Sequence, residues 1–472
     1  MHPLYALIVL LTIAAGPAWT AEERIVSVSD REVISVTIYN HDLALVKDRR
    51  TIDLPGGAHT LAFREVSARI RPETVLVQAD SLRVHEQNFE YDLLSPQALL
   101  RKYVGREVTL IDRHPTSGEE QARQVRVLSA GDGVVLQAGD RIETEVSGRL
   151  VYPDVPANLR DRPTLTMEVD NERAGPQEVE VSYLTGGLSW QADYVAELNN
   201  DDTRLDLNGW VTLTNESGAS YPDAELQLVA GDVHLVAAES KARTLLREDV
   251  ELSVAGVPEM REESMFEYHL YTLERPTSIA DNQKKQVALL QAGNVACRKE
   301  YLLQGPLGYF YGTRDAGRQL PVAVWVEVRN DRASGLGLPV PAGIARVYKK
   351  DTNGRLQFVG EDRLAHTPEN EVIRLRLGDA FDVTAERRQT DFRRLGDKEK
   401  EPERSESGWA IVLKNARKEP VTVRVQETLP GDWQILEESA AHSKESAQTA
   451  IWQVPVPAQG SAELTYRVRV RH

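Results

Sequence analysis

Apolar and polar residues alternate with a period of two along most of the chain after residue 30. Ile34, Val36 and Ile38 point one way and Ser35, Thr37 and Tyr39 the other, until Asn40, His41 and Asp42 turn the chain. Such alternation marks a half-buried strand, because successive side chains leave opposite faces of a pleated backbone. Val125 and Val127 meet Val134 and Leu136 across Gly131-Asp132-Gly133, which is a hairpin signal. A second hairpin joins Val347 to Leu356 and Phe358 through Asp351-Thr352-Asn353-Gly354. Val322, Val324, Val326 and Val328 set one face of a strand whose other face carries Trp325 and Glu327. One helix stands out: Ser95 is placed to cap it, Pro96 takes its first position, and Gly105 stops PQALLRKYVG. The pattern predicts a mainly β protein, built of several sandwich or barrel modules with few short helices.

Boundaries follow composition. A chain of 472 residues suggests about three domains. Residues 24–150 read as an N-terminal β-rich region, and 105–150 alternates tightly enough to be a small barrel or sheet within it. A proline-bearing stretch from Tyr152 to Pro163 leads into a core β domain over 165–393. Inside that domain, 238–264 carries many charges and no sustained alternation, so it is expected to be a mobile insert. After a charged loop at 394–407, residues 408–471 are expected to form a separate immunoglobulin-like sandwich of the stalk or spacer kind.

Charge and the N-terminus then narrow the function. Seventy-two acidic against 56 basic residues give a net charge of −16, which repels phosphate backbones. No block of five or six basic residues offsets it, so nucleic acid is not an expected partner. Leu4 to Ala15 (LYALIVLLTIAA) is apolar except for Thr12, and is shorter than the roughly 20 residues a membrane span needs. It fits the central region of a secretory signal, followed by Gly16-Pro17-Ala18, although no Lys or Arg precedes Arg24. The expectation is a signal peptide over 1–21 and an exported mature chain without a transmembrane segment. The periplasm is the first location and the exterior the second. Cys297 is the only cysteine, which excludes an intrachain disulfide and suits an oxidising compartment. With no partner cysteine it reads as a half-buried strand residue.

Catalytic spacings are missing. The sequence has no helical His-Glu-x-x-His, no Gly-x-Ser-x-Gly, no phosphate loop and no Cys-x-x-Cys. Its ten histidines are scattered, so no cofactor and no compact metal motif is expected. Asp232 and His234 are the best local pair, since two positions apart on a strand they share a face. Gly186-Gly187 permits a sharp reversal before Trp190, Asp193 and Tyr194, a set able to stack on a sugar ring or cover a peptide. The same Trp190 suits a core plug with its indole N–H bonded to backbone, and Trp210 on the next strand is placed to pack with it.

Several blocks together carry a resemblance: SYLTGGLSWQADYVAELN at 182–199, LDLNGWVTLTNESGASYPDAELQLVAGDV at 205–233, FEYHLYTLERPTSIADNQKKQVALL at 266–290, and the long stretch from Gly337 to Phe392. In this order they resemble the bacterial domain-of-unknown-function family 4139, found alone and at the C-terminus of mucoidy-inhibitor-A-like proteins. The resemblance covers about 165–471. It implies an exported β-rich protein and supplies no activity, substrate or catalytic residue. Two readings stay open. The first is a non-catalytic periplasmic or envelope protein that binds or scaffolds an unknown protein or an envelope polymer. The second is a hydrolase of envelope polymers whose carboxylates converge from distant strands.

Overall fold

The computed structural model describes residues 23–40, 42–90, 92–113, 118–131, 133–144, 148–156, 159–231, 233–234, 260–305, 318–395 and 404–471. The expected signal segment and residues 238–259 of the expected insert lie outside them. Among the described residues the protein is mainly β, with one α-helix, Pro96–Lys102, and two single 3-10 turns. Among the described residues no sheet closes into a barrel.

The chain forms two compact units. The first comprises Met1–Ser189, Thr214–Gln227 and Arg275–Gln283, and the second comprises Trp190–Leu213, Leu228–Glu274 and Lys284–His472. The chain passes from one to the other within strands Leu188–Leu198, Arg204–Asn215 and Tyr221–Ala230.

In the first unit, Arg31–Tyr39 pairs antiparallel with Leu43–Leu54, which pairs with Gly175–Thr185 along all eleven residues of the latter. The predicted alternation is what buries Ile34, Val36 and Ile38 on one face. A four-stranded sheet runs Glu23–Val26, Gly57–Arg64, Thr164–Asn171, Leu82–Glu90. The tight alternation near 105–150 becomes a five-stranded sheet in the order Arg141–Glu143, Val135–Ala138, Glu120–Ser129, Glu107–Arg113, Arg149–Val151. Its two end strands are three residues each and stay unpaired with one another, so the sheet is open. The helix packs Leu100 beside Tyr103, Val108, Leu110 and Val127 of that small core. Its cap is as read: the Ser95 hydroxyl oxygen accepts the Ala98 N–H at 3.0 Å, and Gly105 lies beyond the end with φ of 83°.

In the second unit one long sheet runs Leu356–Leu364, Gly343–Lys350, Leu188–Leu198, Arg204–Asn215, Gln283–Gln304, Arg318–Arg329, Val372–Leu395, Arg404–Asn415, Gly460–Arg471, Asp432–Glu438. Leu188–Leu198 and Gly343–Lys350 run parallel, which requires a long excursion between them. Near the C-terminus a second layer forms. Val421–Thr428 pairs antiparallel with Thr449–Val456 and parallel with Tyr301 to Gln304 of the long sheet. Trp409, Ile411 and Leu413 of one layer share a core with Val423, Val425 and Trp452 of the other. The same core takes Tyr301, Leu303, Leu320, Val322, Val383 and Ala385, from strands that precede residue 396. The Trp452 ring stacks on Tyr466 at 4.7 Å.

Candidate functional site

The residues that sequence singles out around the Gly186-Gly187 reversal fold into a strand with two unlike faces. In Leu188–Leu198, Trp190, Ala192, Tyr194, Ala196 and Leu198 are buried while Gln191, Val195 and Glu197 are not. Trp190 is 5% exposed and Tyr194 fully buried, so neither ring meets solvent. Gly209 and Gly343 make room for the Tyr194 ring, since a Cβ on either would come within 3.1 Å of it. The Tyr194 hydroxyl donates to the Pro341 carbonyl at 2.7 Å, and burial pushes its pKa well above the ordinary value. The Trp190 Nε1 has no hydrogen-bond partner, so the expected bond to backbone is absent.

Asp193 is the exception. It lies on the opposite, more open face and is still 6% exposed, because three donors surround its carboxylate. Gln191 Nε2 and Thr212 Oγ1 donate to Oδ2 at 3.3 and 3.0 Å, and Arg346 Nη1 donates to Oδ1 at 3.0 Å. Gln286 Nε2 donates onward to Thr212 Oγ1 at 3.2 Å, while Arg346 Nε lies 3.3 Å from Glu361. Glu361, Arg346, Asp193, Thr212 and Gln286 thus come one from each of five consecutive strands of the long sheet. They form a polar row across its face. Lys350 Nζ and Glu197 make a second cross-strand pair on the neighbouring rungs at 2.5 Å.

Aromatic rings lie along one side of the row. In Arg204–Asn215, Leu205, Leu207, Val211 and Leu213 are buried, which leaves Trp210 on the face of Asn208 and Thr212. Trp210 therefore does not pack beside Trp190; strand alternation sends the two indoles to opposite faces. Tyr348 follows Arg346 on the same face of Gly343–Lys350, and its ring meets the exposed Phe358 edge-on at 5.6 Å. A β-bulge between Gly360 and Phe358, where Val359 has no register partner, keeps Phe358 opposite Tyr348. The signal for Trp210 was present in the sequence, since it shares its phase with Asn208 and Thr212.

Chemically the row is saturated: every carboxylate oxygen of Asp193 already accepts a hydrogen bond from a neighbour. Such a row positions donors and rings rather than moving protons. Asp232 lies outside the described residues, and His234 is exposed and outside any strand. Among the described residues no group of three or more His, Cys, Asp or Glu side chains is placed to hold a metal ion. Among the described residues, each carboxyl whose proton affinity clearly departs from the ordinary range is held low, as in Asp202, where burial is outweighed by hydrogen bonds from Lys349 and Lys299. Among the described residues no helix is long and apolar enough to cross a membrane.

Residues 179–472 match the model of a family described as a domain of unknown function, DUF4139. No curated protein matches the chain.

Proposed function

The chain belongs to the DUF4139 family, and from that premise we propose that it is an exported, non-catalytic protein whose open sheet face in the second unit binds an envelope polymer. The observation that carries the reading is the polar row from Glu361 to Gln286 with Trp210, Tyr348 and Phe358 all along one side of it. Trp210 and Tyr348 lie on strands two apart in the sheet, about 10 Å across the strands, and are also offset along them, Trp210 standing opposite Asp193 and Tyr348 opposite Glu197. That placement suits a sugar chain laid obliquely across the strands, with rings stacked on the aromatic faces while the polar row bonds the hydroxyls. The face is broad and open, as a polymer with no free end to thread requires. Export rests on the apolar run Leu4 to Ala15 and the single cysteine.

Two measurements test it. Mass spectrometry of the mature N-terminus in the periplasmic fraction is expected to find the chain cut near residue 21, and intact Met1 on cytoplasmic protein would sink export. Co-sedimentation with purified peptidoglycan sacculi is expected to pull down the wild-type chain and not Trp210→Ala with Phe358→Ala, at an unchanged melting temperature. Equal sedimentation of both proteins removes the sheet face from the reading, and release of soluble sugars by the wild type revives the hydrolase.

A further inference from the structure

A polar cavity of about 570 Å³ lies within the first unit. It sits over Leu43–Leu54, Gly175–Thr185 and Leu76–Gln78, the last of which ends its sheet. Alternation buries Asp48, Arg50 and Ile52 of the first strand and Val179 and Val181 of the second, so Arg49, Glu178 and Glu180 stand on the outer face. Register sets Arg49 opposite Glu180 and Glu180 opposite Gln78. Asp80 lies two positions beyond Gln78, and Arg173 lies in the connection between Thr164–Asn171 and Gly175–Thr185. Both line the cavity.

One buried hydrogen-bond chain mounts both of these charges. Ser81, next to Asp80, donates its hydroxyl to the side-chain carbonyl of Gln177, and Gln177 Nε2 donates to Asn171 Oδ1 at 3.1 Å. Asn171 Nδ2 donates in turn to the carbonyls of Leu54 and Pro55 at 3.2 and 2.9 Å. Ser81, Gln177 and Asn171 are all buried. Backbone bonds join the same segments: Glu172 N donates to the Ser81 carbonyl at 2.9 Å, and Arg173 N to Asn171 Oδ1 at 3.4 Å. The chain that carries Asp80 and the chain that carries Arg173 are therefore fixed to one another, while their charged ends are left over. Neither side chain has a hydrogen bond or an ion pair among the described residues, with each other or with any neighbour. Arg49, by contrast, is shared between Glu178 and Glu180 at 3.9 and 3.7 Å. The side-chain amide of Gln78 also bonds to nothing among the described residues.

We propose that this cavity binds a short zwitterionic peptide, with its carboxylate on Arg173 and its ammonium group on Asp80. Two unspent charges of opposite sign, held apart on one rigid mount, match a ligand that carries both signs and neutralises both at once. A guanidinium suits a carboxylate, which it grips with two parallel hydrogen bonds. Gln78 offers one acceptor and two donors, the complement of a peptide group lying between the two ends. The volume falls within the range of small-ligand sites. The site is independent of the polymer-binding face, which belongs to the second unit.

Isothermal titration calorimetry of the full chain with L-alanyl-L-alanine tests it. Three further probes are N-acetyl-dialanine, which lacks the ammonium group, dialanine amide, which lacks the carboxylate, and L-alanine, which lacks the peptide group. The dipeptide is expected to bind roughly tenfold more tightly than either blocked form, because each of those loses one charge-assisted pair. L-alanine is expected to bind about fivefold more weakly than the dipeptide, having nothing for Gln78 to bond. Asp80→Asn is expected to weaken the dipeptide roughly tenfold and leave N-acetyl-dialanine unchanged. Arg173→Gln is expected to do the same for the dipeptide and leave dialanine amide unchanged. Both variants should melt like the wild type, since both side chains are exposed and without partners. Trp210→Ala is expected to bind the dipeptide as the wild type does, which separates this site from the sheet face. An absence of dipeptide binding at millimolar concentration overturns the proposal. So do equal affinities for the blocked forms or for L-alanine, or dipeptide binding that survives both substitutions.

Discussion

Arg50 donates Nε and Nη2 to the carboxylate of Asp48, two residues back on the same strand, at 3.2 and 2.7 Å, with neither side chain reached by solvent. Arg31 adds two more bonds to the same carboxylate at 2.9 and 2.7 Å. The Arg50 guanidinium also lies 3.8 Å from the Phe63 ring centroid and donates to the carbonyls of Val26 and Arg64, both at 2.9 Å. Strand, neighbouring sheet and N-terminal segment of the first unit are therefore tied through one buried carboxylate.

Asp48 makes stability depend on acid. Burial alone would raise its pKa, but hydrogen bonds from Arg31 and Arg50 and their charge outweigh burial and hold it below the ordinary value. A carboxyl lowered on folding stabilises the folded state above its unfolded pKa of about 3.9, and that contribution fades as pH falls through the folded value. Urea midpoints are expected to be flat for this group from neutral pH to about 5 and to drop below about 4. Asp48→Asn is expected to lose about 3–5 kcal/mol at pH 7, since two buried guanidinium groups lose their counter-charge. The gap between variant and wild type should then narrow in acid. A constant gap down to pH 3 would contradict the assignment.

Much of this architecture was legible in the sequence because strand periodicity is local. Ile34 to Tyr39, the hairpin at Asp351 to Gly354 and the Ser95 cap each depend on residues within a few positions of one another. The site was harder. Asp193 looked like one member of a cluster with Trp190 and Tyr194, yet alternation sends it to the other face, toward Arg346, which is 153 positions away in sequence. Nothing local to Asp193 announces that partner. The parallel pairing of Leu188–Leu198 with Gly343–Lys350 creates it, and parallel neighbours are the pairings short-range patterns do not encode. Trp210 was legible in principle, since its phase with Asn208 and Thr212 places it outward.

Gly187 separates strain from crowding. Its φ is 83°, and a Cβ there would come 2.5 Å from Ser217 Cα and 2.7 Å from Ser217 N, backbone that cannot swing aside. Gly57, with φ of 104°, has nothing within 4 Å. Gly57→Ala is expected to cost about 1–2 kcal/mol, the conformational part alone. Gly187→Ala should cost about 3 kcal/mol or more, because the clash adds to it. Paired chemical melts of the two variants check the order, and equal losses would refute the crowding.

Cys297 should be a poor nucleophile. Its Sγ lies 3.8 Å from the Asp202 carbonyl in the strand Gln283–Gln304, and burial first, then the Asp202 charge, pushes its pKa up to about 11. The thiol therefore stays protonated through the physiological range, where the thiolate is the reactive form. Labelling of folded protein with a maleimide at pH 7.5 is expected to be slow, to quicken as pH rises, and to reach ordinary rates in urea. Cys297→Ser should bind its partner as the wild type does. Rapid labelling of the native protein at neutral pH would show that the thiol is activated after all.

The row at Asp193 should behave as a coupled unit. Asp193→Ala removes the acceptor of Thr212 and the nearer carboxylate of Arg346, while Arg346 keeps Glu361 at 3.3 Å. Because the Arg346 side chain is 29% exposed and retains that partner, the loss is set at about 1–2 kcal/mol, toward the lower end for a hydrogen-bonded buried charge. Thr212→Val leaves the Asp193 bonds from Arg346 and Gln191 in place and should cost about 1 kcal/mol. If the two residues act through their shared bond, the double variant loses less than the sum by about 0.5–1 kcal/mol. Full additivity in denaturant melts would mean that the bond carries no stability. Polymer binding gives the second readout. Asp193→Ala frees Arg346 to swing toward Glu361 and loosens the rung between Trp210 and Tyr348, so sacculus binding should weaken more than stability does, whereas Thr212→Val should leave it nearly intact.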